Sequence, residues 1–276
     1  VRENQIVASV VPVVESFACP KITSEKYYAD MLRSASLSDR YVAAKALSFF
    51  PTHTIAKELI NKMNDEREHI YIRLEAASSL LKIGEKEVLF FFEKLLRDYY
   101  LENRLECVIA LGEIDSDESC ELLIRTLLNT KQHPEIRAGA AWSLGELKSR
   151  RALEALIKVF SEAETNIRVE AARALTRLSD KYTGDIIKFI PTSNEDERAG
   201  LAWALSKSRR FSITDLLPAM VDDEARKWIA WIIGTQDESR YISQIEQLKS
   251  EDKEVYFAVT VLWKILSSWV CGLEMY

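Results

Sequence analysis

The chain has 276 residues, 47% hydrophobic and 29% charged, with 37 Lys plus Arg against 43 Asp plus Glu and a net charge of −6. That composition buries a core and excludes disorder, and its acidic balance argues against a protein whose main task is coating nucleic acid. Glycine and proline number only 8 and 6, about 5% together against roughly 12% in average usage, which leaves little turn chemistry for a many-stranded fold and points to an all-α chain.

In chain order, the opening Val1-Arg2-Glu3-Asn4 lacks Met and reads as a trimmed chain or a domain of a longer protein. The apolar run 7–14 contains Pro12 and has neither a cationic lead nor a small-residue cleavage site, so no secretion signal is expected. Residues 2–18, within an N-terminal unit 1–22, are expected to form a capping helix bent at Pro12. From residue 23 onward one register recurs. Arg40, Arg73, Arg104, Arg137, Arg168, Arg198 and Arg226 follow each other at 33, 31, 33, 31, 30 and 28 residues, with Tyr256 at the matching place of a divergent eighth copy. A period near 31 marks a stacked array.

Four residues after each Arg stand Ala44, Ala77, Val108, Ala141, Ala172, Ala202 and Ala230; seven after stand Leu47, Leu80, Leu111, Leu144, Leu175, Leu205 and Ile233. Offsets 0, +3, +4 and +7 share one face of a helix, and the small residue at +4 lets a neighbouring helix approach closely. Between these helices lie second amphipathic segments at 54–63, 85–99, 117–129, 151–162, 185–190, 213–220 and 239–249, with a first one at 23–36. Turn signals separate them at Gly84, Ser116, Gly184 and Gly234. A pair of short helices cannot bury its apolar face alone, so the expected architecture is an α-solenoid of about eight stacked helix pairs. Its copies lie near 24–50, 52–83, 85–114, 117–147, 150–178, 181–206, 211–233 and 238–270, forming one domain over 23–276.

The copies resemble short HEAT-like repeats of the phycobilin-lyase type, in which a helix opens with Arg followed by Ala-Ala and Leu-Gly. The matching stretches are IRAGAAWSLGEL at 136–147, NIRVEAARALTRL at 166–178 and IRLEAASSLLKIG at 72–84. The resemblance implies an armadillo-type superhelix that mostly binds proteins, with second helices lining the concave surface. It also implies that the repeated Arg packs at the start of its helix and bonds the preceding turn, with Asp39, Glu135 and Glu197 close by. A structural role is therefore assigned to all seven arginines in preference to an anion ladder.

Shared positions build the core of a solenoid, so function is sought where copies differ. Offset +5 holds Lys45, Ser78, Ile109, Trp142, Arg173, Trp203 and Trp231, three of the six tryptophans, where composition alone predicts about 0.15. Gly139 and Gly200 precede two of the indoles by three residues and leave room that either a neighbouring helix or a ligand fills. The candidate partner groove comprises Trp142, Trp203, Trp228 and Trp231 with Glu146, Arg173, Arg177 and Lys207; Lys264 adds a further charge. The indoles either grip a partner or pack on the next copy. A second recurrence, Lys148-Ser149-Arg150-Arg151 and Lys207-Ser208-Arg209-Arg210, is a candidate anion patch or a pair of solvated helix ends, with solvation preferred.

No catalytic or metal motif is visible: His53, His69 and His133 are scattered, and Cys19, Cys107, Cys120 and Cys271 form no CxxC pair. Acidic pairs such as Glu66 with Glu68 are expected on a solvated surface. A reduced, cytoplasmic setting is expected. No membrane span is expected, since the nearest apolar run, 255–270, is broken by Lys264. The leading expectation is a non-catalytic module binding a protein or peptide without a cofactor. Two alternatives stand beside it. One is an enzyme resembling bilin lyases, or a chaperone of the same repeat family; the other is nucleic-acid binding through Trp stacking and basic turns, as in HEAT-like DNA glycosylases.

Overall fold

The structure, a computed structural model, describes residues 24–162, 164–208 and 211–235, with isolated helical positions between 243 and 264. The expected capping helix, most of the eighth copy, and Arg209 and Arg210 lie outside the described residues.

Among the described residues there are thirteen α-helices and no strand. They alternate as first and second members of pairs. The first members are α1 (Glu25–Met31), α3 (His53–Asn64), α5 (Leu89–Leu95), α7 (Asp117–Leu128), α9 (Leu153–Lys158) and α12 (Ile213–Leu216). The second members are α2 (Leu37–Ala46), α4 (Ile70–Lys82), α6 (Leu101–Gly112), α8 (Pro134–Leu147), α10 (Thr165–Ile187), α11 (Glu195–Lys207) and α13 (Asp223–Gly234). Each second helix carries one of the seven repeated arginines.

Local chemistry sets the helix starts. Ser24, Ser36, Thr52, Ser116 and Asp222 each accept a backbone N–H in the first turn of α1, α2, α3, α7 and α13. Asn194 and Glu197 form a reciprocal capping box on α11. Two of the scattered histidines find the same use: the side chains of His69 and His133 accept from the N–H groups of Tyr71 and Glu135, both at 3.3 Å. α4 ends at Gly84 with φ +97, where Glu85 N–H bonds Leu80 O and Gly84 N–H bonds Leu81 O, a left-handed stop that a side chain would strain.

The sequence placed a helix break at Gly184. It lies instead at Tyr182 (φ −123, ψ 27) within α10, and Gly184 sits in helix. The first helix of the sixth copy is thus only the short run 183–187, followed by a 3-10 turn at Ile190–Thr192 that includes Pro191. Other first helices are also shorter than the apolar pattern suggested, because 3-10 turns at Lys86–Val88, Arg150–Ala152 and Val159–Ser161 carry part of it.

The second helices stack in sequence order, α2 on α4, α6, α8, α10, α11 and α13; α2, α4, α6, α8 and α10 each pack on their own first helix, and α13 packs on the 3-10 turn Leu217–Ala219 that follows α12. The repeated offsets form the interior. Leu47, Leu80, Leu111, Leu144, Leu175, Leu205 and Ile233 are buried, as are Ala44, Ala77, Val108, Ala141, Ala172 and Ala202. Each buried leucine contributes about 2 kcal/mol by removal from water. Neighbouring copies are also tied by polar bonds: Ser79 Oγ donates to Ala44 O at 2.7 Å and Ser143 Oγ to Val108 O at 2.8 Å.

Candidate functional site

The second helices turn offsets +5 and +9 outward, with Lys45, Trp142, Arg173 and Trp203 exposed at +5 and Glu113, Glu146 and Lys207 at +9, while the adjoining offsets +1 and +2 are partly covered and include the buried Leu74, Glu75 and Gly200. On this face Lys45 Nζ of α2 reaches Glu113 Oε2 of α6 at 3.2 Å, spanning α4 between them, where offset +5 is the buried Ser78. Side chains two helices apart converge only over an inward-curving surface, since neighbouring helix axes are themselves about 8–10 Å apart. This is the inner face of the stack.

Trp142 and Trp203 stand on it, 38% and 39% exposed, on α8 and α11. Arg173 lies between them on α10. Trp228 and Trp231 are half-buried and packed against the core, so two of the four indoles project. The two glycines before the indoles are explained by packing. A Cβ on Gly139 would meet Leu105 and Val108 of α6 at 3.0 and 3.1 Å, and one on Gly200 would meet the Phe160 ring at 2.4 Å. The neighbouring copy fills that room. Beside Trp203 an open cavity of about 370 Å³ remains between α10 and α11, lined by Phe160, Arg168, Val169, Arg173, Gly200 and Trp203 among others.

The charges of the proposed groove are already engaged. Arg177 lies over Gly145, donates to Trp142 O at 3.3 Å and pairs with Glu146 at 3.3 Å. Arg173 holds Glu170 at 2.6 Å along its own helix, and Lys207 Nζ sits 5.8 Å from the Trp203 ring centroid. Arg177 and Glu146 therefore serve the α8–α10 contact, while Arg173, Trp142 and Trp203 face outward.

The anion patch is weakened in the same way. Arg150 donates to both carboxylate oxygens of Asp185 at 2.6 and 2.9 Å, and Arg151 pairs with Asp117 at 2.9 Å. The Arg150 hydrogen bond is the main cause that holds the Asp185 carboxyl down at about 2. Lys148 caps α8 in the left-handed region with φ 49. A cavity of about 460 Å³ adjoins Arg150, Arg151 and Asp185, but its cations face carboxylates of this chain.

Four of the seven repeated arginines bond the preceding turn: Arg73 Nε to Met63 O at 2.9 Å, Arg137 Nε to Leu127 O at 2.7 Å, Arg198 Nε to Ile190 O at 2.9 Å, and Arg40 Nη1 to Ser34 O and Ala35 O at 2.9 Å. Their anionic partners differ from those expected. Asp39 instead receives Ser34 Oγ, and Glu197 caps its own helix. The carboxylates come from the next copy: Glu68 for Arg40, Glu162 for Arg137 and Asp222 for Arg198, with Gln132 in that place for Arg104. Among the described residues, Arg168 and Arg226 bond Thr165 and Asp223 of their own first turns. Glu68 is thus a second correction, since it lies with its side chain 6% exposed between Arg40 and Lys62 and not in solvent. A turn tucked under the preceding second helix is not visible from the polarity of the turn alone.

Sequence reasoning missed a second cleft on the same face, of about 220 Å³, lined by Tyr41, Tyr71, Glu75, Glu106, Ile109 and Glu113 among others. The signal was present in the offset +2 column, which reads Val42, Glu75, Glu106, Gly139, Glu170, Gly200 and Trp228 and places carboxylates beside a buried face. Among the described residues no group of three His, Cys, Asp or Glu is arranged to hold a metal ion, and no helix is long and apolar enough to cross a membrane.

The sequence matches no curated protein. Among solved structures it is similar to the complex of CpcE and CpcF of phycocyanin lyase from Nostoc sp. PCC7120, at 17% identity over 77% of this chain and 95% of that one, with a TM-score of 0.38. It is similar also to an engineered protein (18% identity, 76% and 95% coverage, TM-score 0.35) and to human deoxyhypusine hydroxylase in complex with glycerol (18%, 76% and 83%, TM-score 0.31). Residues 90–176 match the model for HEAT repeats, and the same arginine-to-leucine register runs from Arg40 through Ile233 over a continuous helical stack.

Proposed function

We propose that the chain is a non-catalytic interaction module that grips a peptide or protein surface along its inner face. The supporting observation is the pair of projecting indoles, Trp142 and Trp203, at equivalent places two copies apart with Arg173 between them. Large aromatic side chains and Arg are the residues that most often anchor interfaces, and their exposure on a curved inner surface suits an elongated partner. The cavity beside Trp203 gives that partner a place for one apolar side chain. Nucleic-acid binding has less support, because Arg150 and Arg151 already hold carboxylates of this chain.

A photo-crosslinking residue placed at Arg173 tests this. Irradiation in extract from the native source should yield a discrete protein adduct, and Trp142→Ala with Trp203→Ala should remove it while helical circular dichroism is unchanged. An adduct indifferent to both tryptophans overturns the reading.

A further inference from the structure

The cleft over α2, α4 and α6 differs in chemistry from the cavity beside Trp203, although both are lined by offsets +1, +2 and +5 of consecutive second helices. Three of its lining residues are glutamates, Glu75, Glu106 and Glu113, and none is a cation. Glu75 is 6% exposed, and its Oε1 is buried without a hydrogen-bond donor. A buried carboxylate oxygen lacking a donor is costly in an isolated chain and becomes favourable when a cation or donor enters beside it. Lys45, at the rim, pairs directly with Glu113 at 3.2 Å and also feels the charge of Glu75; it lies 5.9 Å from the Tyr41 ring centroid, so this aromatic face accepts a cation. Glu106 makes no ion pair among the described residues.

The negative charge is felt by both neighbours. The Tyr41 hydroxyl has its pKa raised, by burial first, then by the charge of Glu75 and by its hydrogen bond to that carboxylate, so the unpartnered Glu75 oxygen is Oε1 alone. For Lys45 burial acts downward, but Glu75, Glu113 and Tyr41 together outweigh it and the pKa is raised.

The remaining walls narrow the ligand further. The carboxylates are not grouped to hold a metal ion, and the ligand proposed is therefore an organic cation. Leu74, Ile109, Ala110 and the two tyrosine rings form apolar sides leading to the acidic end. This matches a side chain with an apolar stem and a charged tip. From this arrangement we propose that the cleft of Tyr41, Tyr71, Glu75 and Glu106 is a binding pocket for a Lys or Arg side chain presented by a partner polypeptide. Ile109 occupies offset +5 of α6 and Trp142 the same offset of α8, so the pocket continues the indole column toward the N-terminal copies. The inference refines the partner proposed above and is read independently of it.

The probes are the neutral-ended tripeptides acetyl-Gly-Arg-Gly-amide and acetyl-Gly-Lys-Gly-amide, with acetyl-Gly-Gln-Gly-amide and putrescine as comparisons, titrated into the whole isotope-labelled chain and followed by amide chemical shifts. The expected result is a saturable shift at Tyr41, Tyr71, Glu75 and Glu106 with at least one basic peptide and none with the glutamine peptide. Glu75→Gln, which keeps the shape and removes the charge, should weaken that binding about tenfold. Glu106→Gln should weaken it severalfold and decides the matter where Glu75→Gln does not fold. Equal response to the glutamine peptide, binding unchanged in a folded glutamine variant, or putrescine binding as tightly as the basic peptides overturns the proposal. Peptide binding that persists while the Arg173 adduct is insensitive to Trp142 and Trp203 separates the two readings, as does the reverse.

Discussion

Arg137 and Glu162 meet across two consecutive copies through hydrogen bonds of 3.2 and 2.8 Å, while Arg137 Nε holds Leu127 O at 2.7 Å. The Arg137 side chain is 3% exposed. One guanidinium therefore closes its own helix pair and ties it to the next. Removing one member of a buried pair strands the other and its carbonyl, so Arg137→Ala should destabilise the chain by about 3 kcal/mol. Arg168 occupies the same offset with, among the described residues, a single 3.4 Å bond to Thr165 Oγ1, and Arg168→Ala should change stability by less than about 0.5 kcal/mol. Urea unfolding followed by circular dichroism distinguishes the two; equal effects would show that the offset, and not the inter-copy bond, sets the energy.

Glycine substitutions should divide by neighbour. A Cβ on Gly200 would stand 2.4 Å from the Phe160 ring, whereas one on Gly184 meets nothing within 4 Å. Gly200→Ala forces the α11 backbone away from the preceding copy and should cost about 2 kcal/mol. Gly184→Ala sits in helix and should gain about 0.5 kcal/mol by narrowing the unfolded ensemble. Melting temperatures moving in opposite directions are the expected result, and a stabilising Gly200→Ala would mean that Phe160 yields freely.

These contrasts show where the sequence is readable. The arginine-to-leucine spacing located the second helices because the same offsets face the core in every copy, so one pattern is written seven times. The first helices were drawn too long because 3-10 turns share their apolar content, and the periodicity of a short segment does not separate the two. The burial of Glu68 and Glu75 was hidden for a different reason. Whether a glutamate in a turn or at offset +2 is covered depends on the helix of the adjacent copy, which is about 31 residues away and contributes nothing to local periodicity. The indole column was visible by count, but which members project depends on how far the next copy extends over them.

Glu68 makes the stack acid-sensitive. Burial would raise its carboxyl, but hydrogen bonds from Lys62, Arg40 and the His69 N–H outweigh that and hold it at about 2, below the ordinary 4.5. A carboxylate whose pKa is lower folded than unfolded favours the folded state above the unfolded value. That stabilisation is complete above about pH 4.5 and is lost as the pH falls toward 2. The contribution is about 2 kcal/mol at neutral pH. Urea midpoints should therefore fall steeply between pH 4.5 and 2.5, and Glu68→Gln should lower the midpoint at pH 7 while flattening that decline. A Glu68→Gln profile parallel to the parent would assign the acid sensitivity elsewhere.

Cys107 and Cys120 should be chemically silent until the stack opens. Both are buried, and the Cys107 Sγ lies 3.6 Å from Phe92 O. Burial raises the Cys107 thiol far above its ordinary value; it also raises Cys120, against the downward pull of Ser149 and Arg151. Alkylation requires both thiolate and access, and neither is provided in the folded chain. N-ethylmaleimide at neutral pH should leave both residues unmodified for as long as the fold persists and modify both in urea, as mapped by mass spectrometry. Cys107 stands in the offset +3 column with Ala43, Ala76, Ala140 and Ala171, all buried. The surrounding helices already accept a methyl at that depth, so Cys107→Ala should cost only about 1 kcal/mol. Fast native-state labelling at Cys107 would instead mean that α6 detaches locally from α4 and α8, and the copies would then unfold separately instead of as one stack.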